Sequence, residues 1–510
     1  VTEAPGARAA GPLLLGVDIG TASSKGVLVT ADGRIVSRVD SPHRTSQPRP
    51  GWVEHDAEAV WWADFVRIAR QLVAAAGDRT LAGLGVSGIG PCLLPADGAG
   101  DPLRPAILYG VDTRATAEIG ELTAELGREQ VLARCGMVLS CQAVGPKLRW
   151  LARHEPETYR RTRMLLMASS FLVHRLTGRY LLDHHSASQC APMYDLAARR
   201  WDPDWAGRVA PGLPLPELAW PGEVAGQVTA AAAARTGLPA GLPVTAGTVD
   251  AWAEAFSVGV RDPGEAMVMY GSTMFCVQMV RRVSPHPGLW GTVGTLPGSY
   301  AVAAGMATAG AVTDWLRGLV GADFDTLTAE AARVPAGSHG LLLLPYFAGE
   351  RTPILDPDAR GVLVGLTTRH GRAELYRATL EGTGYGLRHN LEAMAEAGGA
   401  ARRLVAAGGG TQGGLWTQIV SDITGWEQQL TEHTVGACYG DAMLAALATG
   451  TGAGPWSWNP VVGTVTPDPE RAARYAEYYP RYRELYPATR QIAHFLAAQQ
   501  RAPSPRRAAT

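Results

Sequence analysis

The segment LLLGVDIGTASSKGVLV, residues 13–29, constrains the fold more than any other part of the chain. Its opening apolar run reads as a buried strand that ends at Asp18 and Gly20. A hydroxyl-rich turn then leads directly into a second apolar strand. KGVLVTADGRIVSRV (25–39) predicts two strands around an Asp32-Gly33 hairpin turn. Helical spacing follows from Glu58 to about Ala75, with Trp61 and Trp62 as core residues. LAGLGVSGIG (81–90) is another strand entering a glycine turn. Later segments alternate between helix-like and strand-like patterns, so the fold class is α/β.

The same design returns in EAMVMYGSTMFCVQMV, residues 265–280: apolar strand, Gly-Ser-Thr turn, apolar strand. One reading is a pair of domains of related design whose turns face each other. The other is that any strand–glycine turn–strand looks alike, and this pair alone leaves both open. A domain boundary falls near Ser257, followed by the turn-rich GVRDPGE. The expected organisation is therefore one domain over 13–257, a second over 258–453, and a helical extension over 454–500. Tyr475, Tyr478, Tyr479, Tyr482 and Tyr486 in that extension read as packing residues. The final RAPSPRRAAT reads as disordered.

Bulk properties exclude several function classes. A chain of 510 residues can bury more than one core. Its formal net charge of -1 gives no basic excess for a nucleic acid or a membrane surface. The six cysteines form no short paired spacing, which argues against zinc and fits a reducing compartment. The apolar stretch Leu13 to Val17 is too short for a signal peptide or a span, so a cytoplasmic location is expected. Lysine occurs only at positions 25 and 147, which makes Lys25, beside the first glycine turn, conspicuous.

Four clusters carry possible chemistry. In the first, Gly20 lets the backbone approach a ligand. The amides and hydroxyls of Thr21, Ser23 and Ser24 can cradle phosphate oxygens, and Lys25 adds charge. Asp18 is placed to hold magnesium, a hard cation that prefers oxygen. The alternative is a hairpin with an incidental aspartate. No P-loop motif occurs. Gly271-Ser272-Thr273 would offer phosphates a second turn. Asp250, just beyond the strand in GLPVTAG, is either a general base for an alcohol acceptor or a helix N-cap; spacing alone favours the cap. Gly408-Gly409-Gly410 precedes a helix and leaves a flat backbone for adenine, or is simply a tight turn.

Taken together, these clusters resemble the FGGY family of carbohydrate kinases in order and separation, over roughly residues 13–500. The most specific part is PYFAGERTPILDPDARGVLVGLTTRHGRAELYRATLEGTGYGLR, residues 345–388. The resemblance implies two actin-like, ribonuclease-H-like domains flanking an interdomain cleft. It implies ATP and Mg²⁺ as cofactors and a sugar or polyol as acceptor, with a possible homodimer. On it, Asp18 matches the magnesium-associated aspartate. Gly20, Thr21, Ser23 and Lys25 match the first phosphate loop, and Gly271, Ser272 and Thr273 the second. Gly310, Gly409 and Gly410 match nucleotide-contacting glycines. Asp250 matches the catalytic base, which reverses the preference for a cap. Glu350, Arg351 and Arg360 lie in the signature as structural or hinge residues.

On the sugar side the resemblance implies Asp112 and Gln142, with Asp112 and Arg114 also able simply to hold the pocket's shape. The chain departs from the pattern in two places. Ile89-Gly90-Pro91 stands where many members carry polar residues, and Ala251 stands where Asn or Gln often follows the base. A pocket lacking these groups does not hold the same sugar in the same way. The overall likeness is to xylulose kinases, with a ketopentose as the favoured acceptor. The alternatives are another sugar or polyol such as ribulose, glycerol or a tetritol, a non-catalytic sugar sensor, and an actin-like ATPase.

Overall fold

The computed structural model describes residues 11–501, so the end expected to be disordered lies, beyond Arg501, outside the described residues. The chain divides into two compact units. The first holds the chain up to Pro263 with Met279–Ala301 and Val435–Pro460. The second holds Gly264–Gln278, Val302–Thr434 and the chain from Val461 onward. Sequence order and spatial grouping therefore diverge: residues 279–301 and 435–453 were expected in the second domain but pack with the first unit.

In the first unit, β1 (Leu13–Ile19) is buried along its whole length, as its apolar run requires. It pairs antiparallel with β2 (Ser23–Thr30), which pairs antiparallel with β3 (Ile35–Pro42). Gly33, at φ 88°, makes the turn between β2 and β3, and its N–H bonds Thr30 O at 2.9 Å. On its other side β1 runs parallel to β4 (Leu81–Gly88). The edge strand β5 (Val224–Gln227) is antiparallel to β6 (Pro243–Thr245). β6 and β7 (Thr248–Val249) both run parallel to β4. The expected helix after Glu58 opens with a π turn, Ala57–Trp62, capped by Asp56, and continues as Ala63–Ala76. It buries Trp61, Phe65, Ile68 and Leu72 in the core beneath the sheet.

The helix Ala437–Thr449 covers the other face of this sheet. Its closeness depends on two glycines. A Cβ at Gly16 would sit 1.8 Å from Cys438 O, and one at Gly85 would sit 1.9 Å from Asp441 O. Any side chain at either position would push the helix away.

The second unit repeats the plan. β8 (Glu265–Tyr270) is antiparallel to β9 (Met274–Val280), and β10 (Tyr300–Met306) borders β9. β8 runs parallel to β11 (Arg403–Ala407), and β11 to β12 (Gln428–Thr431). β13 (Val461–Val465) closes the sheet antiparallel to β12. That strand falls in the tail expected to be purely helical. The remaining tail, Pro469–Arg501, is one long helix. Its Tyr475, Tyr479 and Tyr482 are buried around Tyr385, with ring centroids 6.0, 6.3 and 5.4 Å away. Among the described residues no helix is long and apolar enough to cross a membrane.

Candidate active site

The register of β1 decides the centre of the site in the first unit. Asp18 lies opposite Lys25 on β2 and beside Ser87 on β4. β7 pairs with β4 so that Thr248 lies beside Ser87, and the chain then enters the helix Asp250–Ser257. Asp250 is thus delivered to the strand ends where Asp18 sits. The N-cap of that helix is Val249, not Asp250. The Asp250 carboxylate is half-buried, and its Oδ1 accepts the Ala251 N–H at 2.7 Å. Glu254 follows one helical turn later, on the same face. From the covering helix, Asp441 reaches Ser87: Ser87 Oγ is 2.7 Å from Asp441 Oδ2 and 3.0 Å from Asp18 Oδ1.

Four carboxyls therefore act on one another electrostatically, and three of them, Asp18, Asp250 and Glu254, also feel the charge of Lys25. Burial, then the charges of Asp18 and Glu254, hold Asp250 well above the usual carboxylate range. Burial raises Asp18 to about 6, against the pull of the Ser87 bond and of Lys25 and His43. Burial and Asp18 raise Glu254 to about 7. Burial and Asp18 raise Asp441 well above its ordinary value, despite its bond to Ser87. Ser87 has one hydroxyl proton for two carboxyls. The Ser87 hydroxyl is therefore shared between Asp18 and the fully buried Asp441.

The Gly20–Ala22 turn beside this cluster is tied back into the unit. Gly20 N–H bonds Ser23 O at 3.1 Å. Gly20 O accepts from His43 Nε2 at 3.1 Å, and Thr21 O accepts from Thr45 Oγ1 at 2.9 Å. Thr21 Oγ1 lies 3.1 Å from the Tyr109 hydroxyl. Ser23 and Lys25 are half-buried at the start of β2.

In the second unit, Gly271 N–H bonds Thr273 O at 3.1 Å. Gly271 O accepts from Gly310 N–H at 3.0 Å; Ser272 O accepts from Ala309 at 2.9 Å and Ala311 at 3.0 Å. Gly310 opens the helix Gly310–Val320, and a Cβ there would be 2.6 Å from Gly271 O. The β8–β11 register sets Gly408 beside Tyr270. Gly410 packs on Trp416 and Tyr270, while Gly409 faces open space. Gly271, Ser272, Thr273, Gly310, Gly409 and Gly410 thus come together at one end of β8.

The two sugar-side expectations land differently. Asp112 is turned inward: it accepts the Val53 N–H at 2.7 Å and the Arg114 N–H at 3.1 Å. It also takes the Arg114 guanidinium on both oxygens, with NH2 at 2.7 Å. Arg114 stacks on Trp52, 4.0 Å from the ring centroid. Gln142 is buried, and its Oε1 accepts the Gly110 N–H at 3.0 Å. Its amide NH₂ has no partner among the described residues. In the signature segment, Glu350 is buried, raised to about 8 by that burial, and accepts the Ala307 N–H at 2.8 Å. Arg351 bonds Met306 O at 3.0 Å and Arg360 bonds Gln500 Oε1 at 2.7 Å.

Comparison with known proteins identifies the assembly. Residues 13–257 match the N-terminal domain of the FGGY family of carbohydrate kinases, and residues 266–449 match its C-terminal domain. The chain belongs to the FGGY family of carbohydrate kinases. Xylulose kinase of Escherichia coli (strain K12) is 31% identical over 498 residues, 95% of this chain and 100% of that protein. Glycerol kinase of Alkalilimnicola ehrlichii is 33% identical over 457 residues, 86% of this chain and 90% of that protein. Among solved structures, xylulose kinase from Rhodospirillum rubrum superimposes with a TM-score of 0.87 at 32% identity. That match covers 94% of this chain and 100% of the other. The kinase thus has the two-domain, actin-like and ribonuclease-H-like α/β fold, each domain a mixed sheet covered by helices.

Sequence reasoning did not single out Ser87, Glu254, Asp441, His43 or Tyr109. Glu254 was legible, since it lies one helical turn after Asp250. Nothing local marks Asp441.

Proposed function

We propose that the kinase transfers the γ-phosphoryl group of ATP to a hydroxyl of a small sugar, a ketopentose such as xylulose being favoured. The observation that carries this reading is the Asp250 carboxylate, half-buried at the head of its helix with one hydrogen bond among the described residues, beside Asp18. Its raised affinity for a proton suits a group that must take one from an alcohol.

Asp250 orients the sugar hydroxyl and accepts its proton as the bond to phosphorus forms. Transfer needs little covalent chemistry from the protein, so positioning and charge dominate. The Gly20–Lys25 turn of the first unit and the Gly271–Thr273 turn of the second supply amides, hydroxyls and the Lys25 ammonium to phosphate oxygens. Gly310, Gly409 and Gly410 leave backbone open to the nucleotide. Gln142 offers its free amide NH₂ to a sugar hydroxyl. Asp112 acts indirectly, holding Arg114 and the backbone of Val53.

The donor set fits Mg²⁺. Asp18 provides hard oxygen ligation, and a cation would offset the burial that raises Asp18 and the Asp18 charge that, after burial, raises Asp250 and Glu254. Among the described residues no three ligands converge into a metal cage. Asp18 is the carboxylate that would hold such an ion. When bound, it neutralises the charge developing on the transferring phosphoryl group. All six cysteines are free, which supports placing the reaction in a reducing cytoplasm.

A second reading, glycerol or another small polyol as acceptor, draws support from the glycerol kinase relative and from Ile89, Gly90 and Ala251. Measuring ADP release from MgATP across ketopentoses, aldopentoses, hexoses, glycerol and tetritols separates the two. Asp250→Ala should fold, retain MgATP and lose most turnover. Release that ignores both sugar and Asp250 would overturn the proposal.

A further inference from the structure

The turn Gly20–Ala22 rests on two buried imidazoles whose partners require different protonation. His43 is buried, with Nδ1 2.8 Å from Asp64 Oδ2 and Nε2 3.1 Å from Gly20 O. A carbonyl oxygen only accepts. Asp64 is ionised: burial pulls its carboxyl up, but the bonds from His43, Ser24 and Ser41 together outweigh this and hold it below the usual range. Ser24 Oγ and Ser41 Oγ both donate to it at 2.8 Å, and Arg67 also bonds it. Both nitrogens of His43 therefore face acceptors, and satisfying both takes two protons.

His55 is the opposite case. Trp61 Nε1–H donates to its Nδ1 at 3.1 Å, so that nitrogen carries no proton. Its Nε2–H then donates to Thr45 Oγ1 at 3.1 Å, and the Thr45 hydroxyl donates to Thr21 O at 2.9 Å. The two rings meet edge to face with centroids 5.1 Å apart. A neutral His55 is the only form this chain of donors allows. Burial and the adjacent His43 agree, lowering it to about 4.

Both brackets grip carbonyls of consecutive peptides. In a trans peptide the N–H points opposite to the C=O. Drawing Gly20 O and Thr21 O into the unit therefore turns the Thr21 and Ala22 amides outward. Neither amide has an acceptor among the described residues, and two successive outward amides form an anion-binding concavity.

We propose that His43, held between Asp64 and Gly20 O, is a positioning residue that keeps the Thr21 and Ala22 amides presented to the nucleotide's phosphates. The inference rests on the proposed use of MgATP. His43 touches no phosphate; it acts through the Gly20 carbonyl, with Thr45 as the lesser support at the next peptide.

The test is calorimetric titration of the full chain with MgATP and, separately, with adenosine, which has no phosphate. His43→Asn retains a donor toward Asp64 but does not reach Gly20 O; it should weaken MgATP about tenfold. His43→Gln places its amide where Nε2 lies and should recover most of that loss. Thr45→Val removes only the Thr21 bracket and should cost a few-fold, so it carries the test if His43→Asn does not fold. Adenosine affinity should be the same throughout. A MgATP affinity that all three variants leave unchanged would refute the brace, as would parallel loss of adenosine or no advantage of Gln over Asn. A wild-type chain that binds adenosine normally but gains nothing from phosphates would remove the proposed function itself.

Discussion

The turns β1–β2 and β8–β9 share a backbone plan and differ in what supports them. In both, the amide after the first strand bonds across the turn: Gly20 to Ser23 and Gly271 to Thr273, each at 3.1 Å. Two carbonyls of the first turn, Gly20 O and Thr21 O, are held by side chains, His43 and Thr45, and the third, Ala22 O, by the His43 amide. Those of the second are held by main-chain amides of residues 309–311, at the start of the Gly310–Val320 helix. Charge divides the same way. Asp18, Asp250, Glu254, Asp441 and Lys25 gather at the first turn, whereas glycines, hydroxyls, Tyr270 and Trp416 surround the second. One topology has thus been given two chemistries. Main-chain support tolerates side-chain change and suits a neutral binding element. Side-chain support and clustered charge suit the element beside Asp250, where proton transfer is proposed.

Changes at the charged side should strike turnover, and changes at the neutral side should strike nucleotide affinity. The largest effect is expected from Asp250→Asn: a loss of about a hundred- to ten-thousand-fold in kcat with MgATP binding retained. Equal loss of both would erase the division of labour. Next is Gly310→Ala, whose Cβ would meet Gly271 O at 2.6 Å. Overpacking of this kind costs about 1–3 kcal/mol, so the KM for MgATP should rise roughly ten- to hundredfold while the acid limb of the pH–rate profile stays in place. Movement of that limb would show that the second turn also governs the proton.

A stability measurement tests the burial of the Asp18 carboxyl. The Asp18 carboxyl is raised in the folded protein from 3.8 to about 6, chiefly by burial. Its contribution to stability is complete below about pH 4 and is lost as pH rises through about 6. Asp18→Asn abolishes that loss. The Tm advantage of the variant, measured without nucleotide, should grow from near zero at about pH 4 to a plateau above about pH 7, worth on the order of 2–3 kcal/mol. A difference independent of pH would contradict it. The smallest effect is expected from Glu254→Gln. Its charge helps raise Asp250, so removing it should move the acid limb of kcat/KM to lower pH by less than about one unit, with the plateau of kcat little changed.

Where the chain's neighbours in sequence are also its neighbours in space, pattern and structure agree closely. The continuous run of β1, the Asp32-Gly33 turn and the strand–turn–strand of β8–β9 are all visible as period and turn residues. Asp18 was legible because it ends a recognisable strand, whereas Asp250 read as a helix cap on spacing and only the family resemblance pointed to a base. The strand Val461–Val465 was not, since five residues between Trp- and Pro-rich segments carry too little period to reveal an edge strand. Asp112 shows another gap: its acidic side chain marked a pocket, but only the fold reveals that Arg114 and Val53 occupy both its oxygens.

By itself, the sequence determined the class of fold, the two turns and the aspartates beside the first, because hydrophobic period and turn chemistry act over a few residues. Tertiary structure alone decided what surrounds them. Asp441 meets Ser87 across 354 positions, and it does so because Gly16 and Gly85 let the Ala437–Thr449 helix settle onto β1 and β4. His43 reaches Gly20, and Asp64 reaches His43, only once β2, β3 and the Ala63–Ala76 helix are stacked. Such meetings depend on strand order and closest approach between distant segments, and no local pattern carries that information.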